Sequence, residues 1–257
     1  MKRVPLRWLL ALAMALASPG AAAADPPMTI AAAADLHGAM DKLVEAYRHD
    51  HPERRVDVVY GASGQLLTQI EQGAPFDLFF SADSSYPQQL VAHGHAGGPP
   101  VPYANGHLVL WSSSLDMTRV QVADLAQPRF GRIAIANPQH APYGKRAEQA
   151  LRAAGVWDAL QARLVYGENI GQTAQFAQSG NAQVGIIAES LALAAAGKGT
   201  YVAVPASMYE PLRQSFVLTR RGAANPVARD FAQFVQGPAA RALLAHYGFS
   251  LPVDATP

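Results

Sequence analysis

A chain of 257 residues that contains no cysteine holds together by packing alone, since disulfides and thiolate metal sites are excluded. It is long enough for one large core or two modest ones. Once Lys2, Arg3 and Arg7 of the leader described below are set aside, 17 basic residues face 19 acidic ones, a net charge of −2; this argues against a nucleic-acid binder and leaves oriented dipoles to hold any anion.

The first 24 residues read as a secretory signal peptide. Lys2, Arg3 and Arg7 form a basic start, Trp8 to Ala17 is apolar, Ser18-Pro19-Gly20 breaks the run, and Ala21 to Ala24 offers a small-residue cleavage site. The apolar run is too short to span a bilayer comfortably and no other candidate span follows. An exported mature protein starting near Asp25, without a lipid-modified cysteine and without direct membrane insertion, is the expectation.

Met28 to Ala33 is an apolar strand candidate, followed by Ala34 and Asp35. Leu36, Met40, Leu43, Val44 and Tyr47 then form one stripe of an amphipathic helix, with Asp35 where its N-cap belongs. Arg55 to Tyr60 suits a half-buried strand. It runs into Gly61-Ala62-Ser63-Gly64 and a helix carrying Leu66, Leu67 and Ile70, which Gly73 and Pro75 end. Phe76 to Phe80 is a buried strand, and Ser81 to Ser84 opens a third helix that ends at Gly94. Three strand-to-helix units in succession favour a parallel sheet with right-handed crossovers.

Gly97-Gly98-Pro99-Pro100 begins a loop expected to reach about residue 105. Strands are then expected at Leu108 to Ser112, Ile133 to Ala136, Leu164 to Tyr166, Val184 to Ile187, Tyr201 to Val204 and Arg213 to Thr219. Helices are expected from Lys145 to Ala154, opening at Glu168 to Thr173, from Val227 to Gln236 and from Ala239 to Tyr247. Two groups of alternating strands and helices imply two α/β lobes, and the division expected is 28–104 with 215–257 against 105–214. Ligands of open α/β sheets lie at the carboxyl ends of strands, where helix N-termini point. The turns at 34–35, 61–64, 142–144 and 169–171 would then surround one cleft. Ser63 has two readings here, a plain helix cap or a hydroxyl donor beside first-turn amides suited to a small anion.

The motifs resemble those of the periplasmic molybdate-binding proteins of ABC importers. They are Ala32-Ala33-Ala34-Asp35-Leu36, Gly61-Ala62-Ser63-Gly64, the run from Gly73 to Asp83, the run from Asn137 to Gly144, and Glu168-Asn169-Ile170-Gly171-Gln172; Gly237-Pro238 and Tyr247-Gly248-Phe249 follow near the end. The resemblance runs from about Met28 to Leu251. It implies a type II periplasmic binding-protein fold, two α/β lobes closing on a cleft. It implies molybdate or tungstate as ligand, no cofactor, a monomer, and an ABC permease with its ATPase as partners. Carried over, the oxyanion-binding residues are Ala34, Asp35, Ser63, Tyr143 and Ile170. Many members have serine at the position of Asp35 and tyrosine at that of Ala188, so the Tyr143 hydroxyl is expected to serve here.

A carboxylate within about 4 Å of a dianion is repelled by several kcal/mol at an effective dielectric near 20. Asp35 is therefore expected to turn its side chain onto helix amides as a cap. A site made only of donors would prefer fully deprotonated oxyanions, molybdate, tungstate or sulfate, over hydrogen phosphate. If Asp35 faces the ligand, that preference reverses. A secreted serine hydrolase using Ser63 is a further alternative, but Gln65 stands where the elbow signature requires glycine. His49-x-His51 and His93-x-His95 lack the carboxylate spacing of a convincing metal site, and no adjacent tyrosines suggest a ferric-iron binder.

Overall fold

The computed structural model describes residues 26–252; the leader read as a signal peptide lies outside them. Among the described residues no helix is long and apolar enough to cross a membrane. In chain order the elements are β1 (Met28–Ala33), α1 (Ala39–Asp50), β2 (Val56–Gly61), α2 (Ser63–Glu71), β3 (Leu78–Ser81), α3 (Ser85–Ala92), β4 (Val101–Gly106) and β5 (Leu108–Ser112). Then come β6 (Ile133–Ala136), α4 (Pro142–Ala153), α5 (Trp157–Leu160), β7 (Leu164–Gly167), α6 (Ile170–Gln178), β8 (Val184–Ala188), α7 (Glu189–Ala194) and β9 (Thr200–Ala203). The last are β10 (Leu212–Leu218), α8 (Arg220–Ala224), α9 (Pro226–Val235) and α10 (Pro238–His246).

The strands form two five-stranded sheets, ordered β2-β1-β3-β10-β4 and β7-β6-β8-β5-β9. Each sheet has the same plan. Three strands run parallel, β2-β1-β3 in one and β7-β6-β8 in the other, and a fourth strand joins them antiparallel. In both sheets that fourth strand is the first one the chain makes after leaving the other sheet: β5 follows β4 across His107, and β10 follows β9. The two sheets thus share a chain that passes between them twice, and residues 28–106 and 212–218 supply one sheet while 108–203 supply the other.

The inner parallel strands β1, β3, β6 and β8 are buried on both faces, whereas the edge strands β2 and β7 are partly exposed. Ile30 and Ala32 face one cluster with Phe80, Phe216 and Phe231, whereas Ala31 faces the opposite one with Leu66, Phe79 and Val217. This is the alternation of a strand buried on each side. Phe216 sits opposite Phe80 in the antiparallel register, and their rings stack with centroids 4.9 Å apart. The expected stripe of α1, Leu36 with Met40, Leu43, Val44 and Tyr47, is wholly buried.

Two expectations change. The loop expected up to residue 105 ends at Pro100, and Val101–Gly106 is strand β4. Its Pro102 lacks an N–H, which an edge strand tolerates; β10 is its neighbour in the sheet, and Asn105 adds a bridge to Ser250. Asp35 does not cap α1. It lies in a short 3₁₀ turn, Ala34–Leu36, and α1 begins four residues later, after Gly38 at φ +86°. Only glycine takes that left-handed conformation without strain, so the chain reverses there and frees the Asp35 side chain to point elsewhere.

Candidate functional site

Three helices, α2, α4 and α6, open at the facing ends of the two sheets, α2 from the first and α4 and α6 from the second. Ala62 and Ala141 occupy the cap positions of α2 and α4 and offer no side chain to the first-turn amides; Asn169 caps α6 by accepting from Gln172 N. The N–H groups of Ser63, Tyr143 and Ile170, in the first turns of these helices, have no acceptor among the described residues. Unsatisfied first-turn N–H groups and the positive end of the helix dipole make an anion site.

These turns close around one small cavity lined by Ala34, Asp35, Ser63, Tyr143 and Ile170 together with Gly61, Ala62, Ala82, Ala141 and their neighbours. All five residues carried over from the family motifs are thus brought together. The free space in it is about 10 Å³, far under the roughly 300–1,000 Å³ of pockets for drug-sized molecules. Only a small ligand fits between these turns.

Ser63 is the first residue of α2, not its cap. Its Oγ, fully buried, accepts from Ala82 N at 3.1 Å. With that lone pair held, the hydroxyl proton is left for a ligand. No histidine is hydrogen-bonded to Ser63 among the described residues: His140 Nε2 instead lies 2.9 Å from the carbonyl oxygen of Glu168 and 3.2 Å from Gln65 Nε2. The arrangement places the Ser63 hydroxyl as a donor.

Asp35 is the unexpected part of the wall. It is completely buried, and its Oδ2 accepts from Gln214 Nε2 at 2.6 Å. Gln214 comes from β10, beside a β-bulge between Gln214 and Ser215, and its Oε1 accepts from Tyr103 Oη on β4 at 2.6 Å. Its Nε2 also reaches the Tyr143 hydroxyl at 3.3 Å. Burial pushes the Asp35 carboxyl up to about 6, against the lowering pull of the Gln214 amide and the Tyr143 hydroxyl. Burial also holds Tyr103 and Tyr143 well above the usual phenol range, with the Asp35 charge adding to it. Neither Gln214 nor Tyr103 is marked by any motif in the sequence. The one available signal is that Arg213-Gln214-Ser215 puts polar residues in a strand that the sheet order makes internal.

The cleft is shut. Gly64 N donates to His140 O at 2.9 Å, Gln65 Nε2 to Glu168 Oε2 at 3.0 Å, and Ser190 Oγ to Asp35 O at 2.7 Å. Arg146 of α4, nearly buried, pairs with Asp83 at 3.1 Å. Each of these contacts joins one sheet's lobe to the other.

The chain is similar to known proteins over most of its length. The family model of the bacterial extracellular solute-binding proteins matches residues 28–250. The molybdate-binding protein ModA of Rhodobacter capsulatus is 38% identical over 93% of each chain. That of Azotobacter vinelandii is 35% identical over 95% of this chain and 97% of its own. The solved structure of the Azotobacter vinelandii periplasmic molybdate-binding protein superimposes with a TM-score of 0.82 at 34% identity, covering 88% of this chain and 99% of that one. The two-lobed α/β architecture is that of periplasmic binding proteins.

Proposed function

The chain belongs to the family of bacterial extracellular solute-binding proteins, and from that premise we propose that it captures molybdate outside the cytoplasmic membrane and passes it to an ABC importer. The observation that carries this reading is the small cavity walled by first-turn amides and the Ser63 hydroxyl, set in a chain similar over 93% and 95% of its length to two molybdate-binding proteins. Tungstate, a dianion of the same shape, is accepted by the same donors. Ala34, Asp35, Ser63, Tyr143 and Ile170 hold the ligand. Ser63 contributes its hydroxyl, and Ser63, Tyr143 and Ile170 contribute first-turn N–H groups.

The protein acts as a periplasmic monomer after loss of its signal peptide, without catalysis, and its partners are a permease and its ATPase. The lobe formed by 28–106 and the C-terminal segment moves against the other about the two strand crossings. Calorimetric titration of the mature protein with molybdate, tungstate, sulfate and phosphate at neutral pH tests the reading. Tight 1:1 binding of molybdate with weak sulfate and phosphate is expected. Silence toward all four overturns it.

A further inference from the structure

An anion cavity with a carboxyl group in its wall contains a contradiction that the hydrogen bonds around Asp35 resolve. Asp35 Oδ2 is engaged by Gln214 Nε2, while Oδ1 is buried and has no hydrogen-bond partner among the described residues. Gln214 presents its NH₂ group to Asp35 and its Oε1 to the Tyr103 hydroxyl, which donates to it. Oδ2 is therefore an acceptor, and a proton on this carboxyl sits on Oδ1. As a carboxylate, Asp35 would repel a dianion by several kcal/mol at about 4 Å and an effective dielectric near 20. As an acid, its Oδ1–H is one more donor in a wall of donors.

Resting on the reading of the cavity as an oxyanion site, we propose that Asp35 binds molybdate as the neutral carboxylic acid, donating from Oδ1 to an oxyanion oxygen, so that capture of each molybdate takes up one proton from solvent. The proton adds to the Asp35 carboxylate, molybdate stays a dianion, and no other bond is made or broken. The group thus becomes a determinant of which anion is held. An ionised Asp35 would accept a hydrogen bond from a protonated oxyanion such as hydrogen phosphate, whereas the acid form selects anions with no proton to give.

Burial favours the acid, against the lowering pull of Gln214, Tyr143 and the main-chain N–H groups of Asp35 and Leu36. Tyr143 from α4 and Tyr103 from β4 face the group as neutral phenols, Gln214 from β10 as a neutral amide, and Ser190 from α7 through the Asp35 carbonyl. His37 and Asp41, downstream on the same segment, lie 3.9 Å from each other, and both are about half exposed. Burial already raises the carboxyl to about 6 in the ligand-free protein, and a neighbouring dianion raises it further. At neutral pH the free site is mostly ionised, and binding draws the proton in.

The test is titration calorimetry of the mature protein with sodium molybdate at pH 7.5 in two buffers of different ionisation enthalpy, repeated from pH 6 to 9. Uptake close to one proton per molybdate is expected, with Kd rising about tenfold per pH unit between pH 7 and 9. Asp35→Asn, whose amide N–H is present at every pH, should bind with no proton uptake and a flat profile over that range. Molybdate bound without proton uptake, or hydrogen phosphate bound in preference to molybdate, overturns the proposal. The first of those results leaves the oxyanion site standing, whereas no heat and no thermal shift with any oxyanion overturns both. The two-buffer measurement needs no variant, so a misfolded Asp35→Asn does not block it.

Discussion

Asp35 carries two demands that oppose each other, burial without a cationic partner and a place in the wall of an anion site. The first has a consequence in the absence of ligand. Its carboxyl is near the ordinary value of 3.8 when the chain is unfolded and about 6 when folded, so the folded state holds the proton more tightly. The stability linked to this group is fully present below pH 4 and is lost as pH rises to about 6, a swing of about 3 kcal/mol for a shift of about two units. Urea denaturation of the ligand-free protein and of Asp35→Asn at pH 4, 5, 6 and 7 isolates it, because other carboxylates cancel in the difference. The variant should gain on the parent by about 3 kcal/mol across that window. A difference that stays constant with pH would mean the carboxyl titrates normally.

At the scale of the elements, the approach of α2 to the opposite lobe depends on Gly64. A Cβ built there would lie 2.9 Å from His140 O and 3.1 Å from His140 Cα, both main-chain atoms with little room to give. Gly64→Ala should therefore leave each lobe folded and hold the cleft ajar. Molybdate affinity is expected to fall by about 10- to 100-fold, an overpacking cost of roughly 1–3 kcal/mol charged to the closed form alone. Calorimetry with unchanged far-UV circular dichroism checks this, and undiminished affinity would show that the lobes do not close on this contact. Legibility in the sequence followed the same logic of local against distant causes. Leu108–Ser112 and Ile133–Ala136 are continuous apolar runs, and the strands fall where those runs lie. β4 was not legible, because Pro102, Asn105 and Gly106 read as loop and their partners, β10 and Ser250, come more than a hundred residues later. The Asp35 cap failed similarly. A residue before an apolar stripe is an ordinary cap position, and nothing local announces that Gly38 will delay the helix or that Gln214 waits across the sheet.

For the whole molecule, closure is held by few contacts, and Arg146 is the most buried charge among them. It pairs with Asp83 in the other lobe at 3.1 Å and with the exposed Glu210 at 3.1 Å. Arg146→Ala leaves Asp83 short of its cation in the closed form only, and breaking a largely buried pair from one side is costly. The ligand-free variant should give a larger radius of gyration in small-angle X-ray scattering, with molybdate restoring a compact form at about tenfold higher ligand concentration or more. An unaltered scattering curve and affinity would assign the ion pair to packing and not to closure. The double passage of the chain between the sheets has another outcome, in the order of assembly. All five strands of the second sheet lie between Leu108 and Ala203, so that lobe can complete itself as soon as its own residues emerge. The first cannot. β3 and β4 are made early, but the strand that lies between them is β10, and until Leu212–Leu218 arrives each presents an open edge. The N-terminal half of this protein is therefore the last to finish folding, and its unpaired edges during that interval are where a nascent chain would aggregate or need a chaperone.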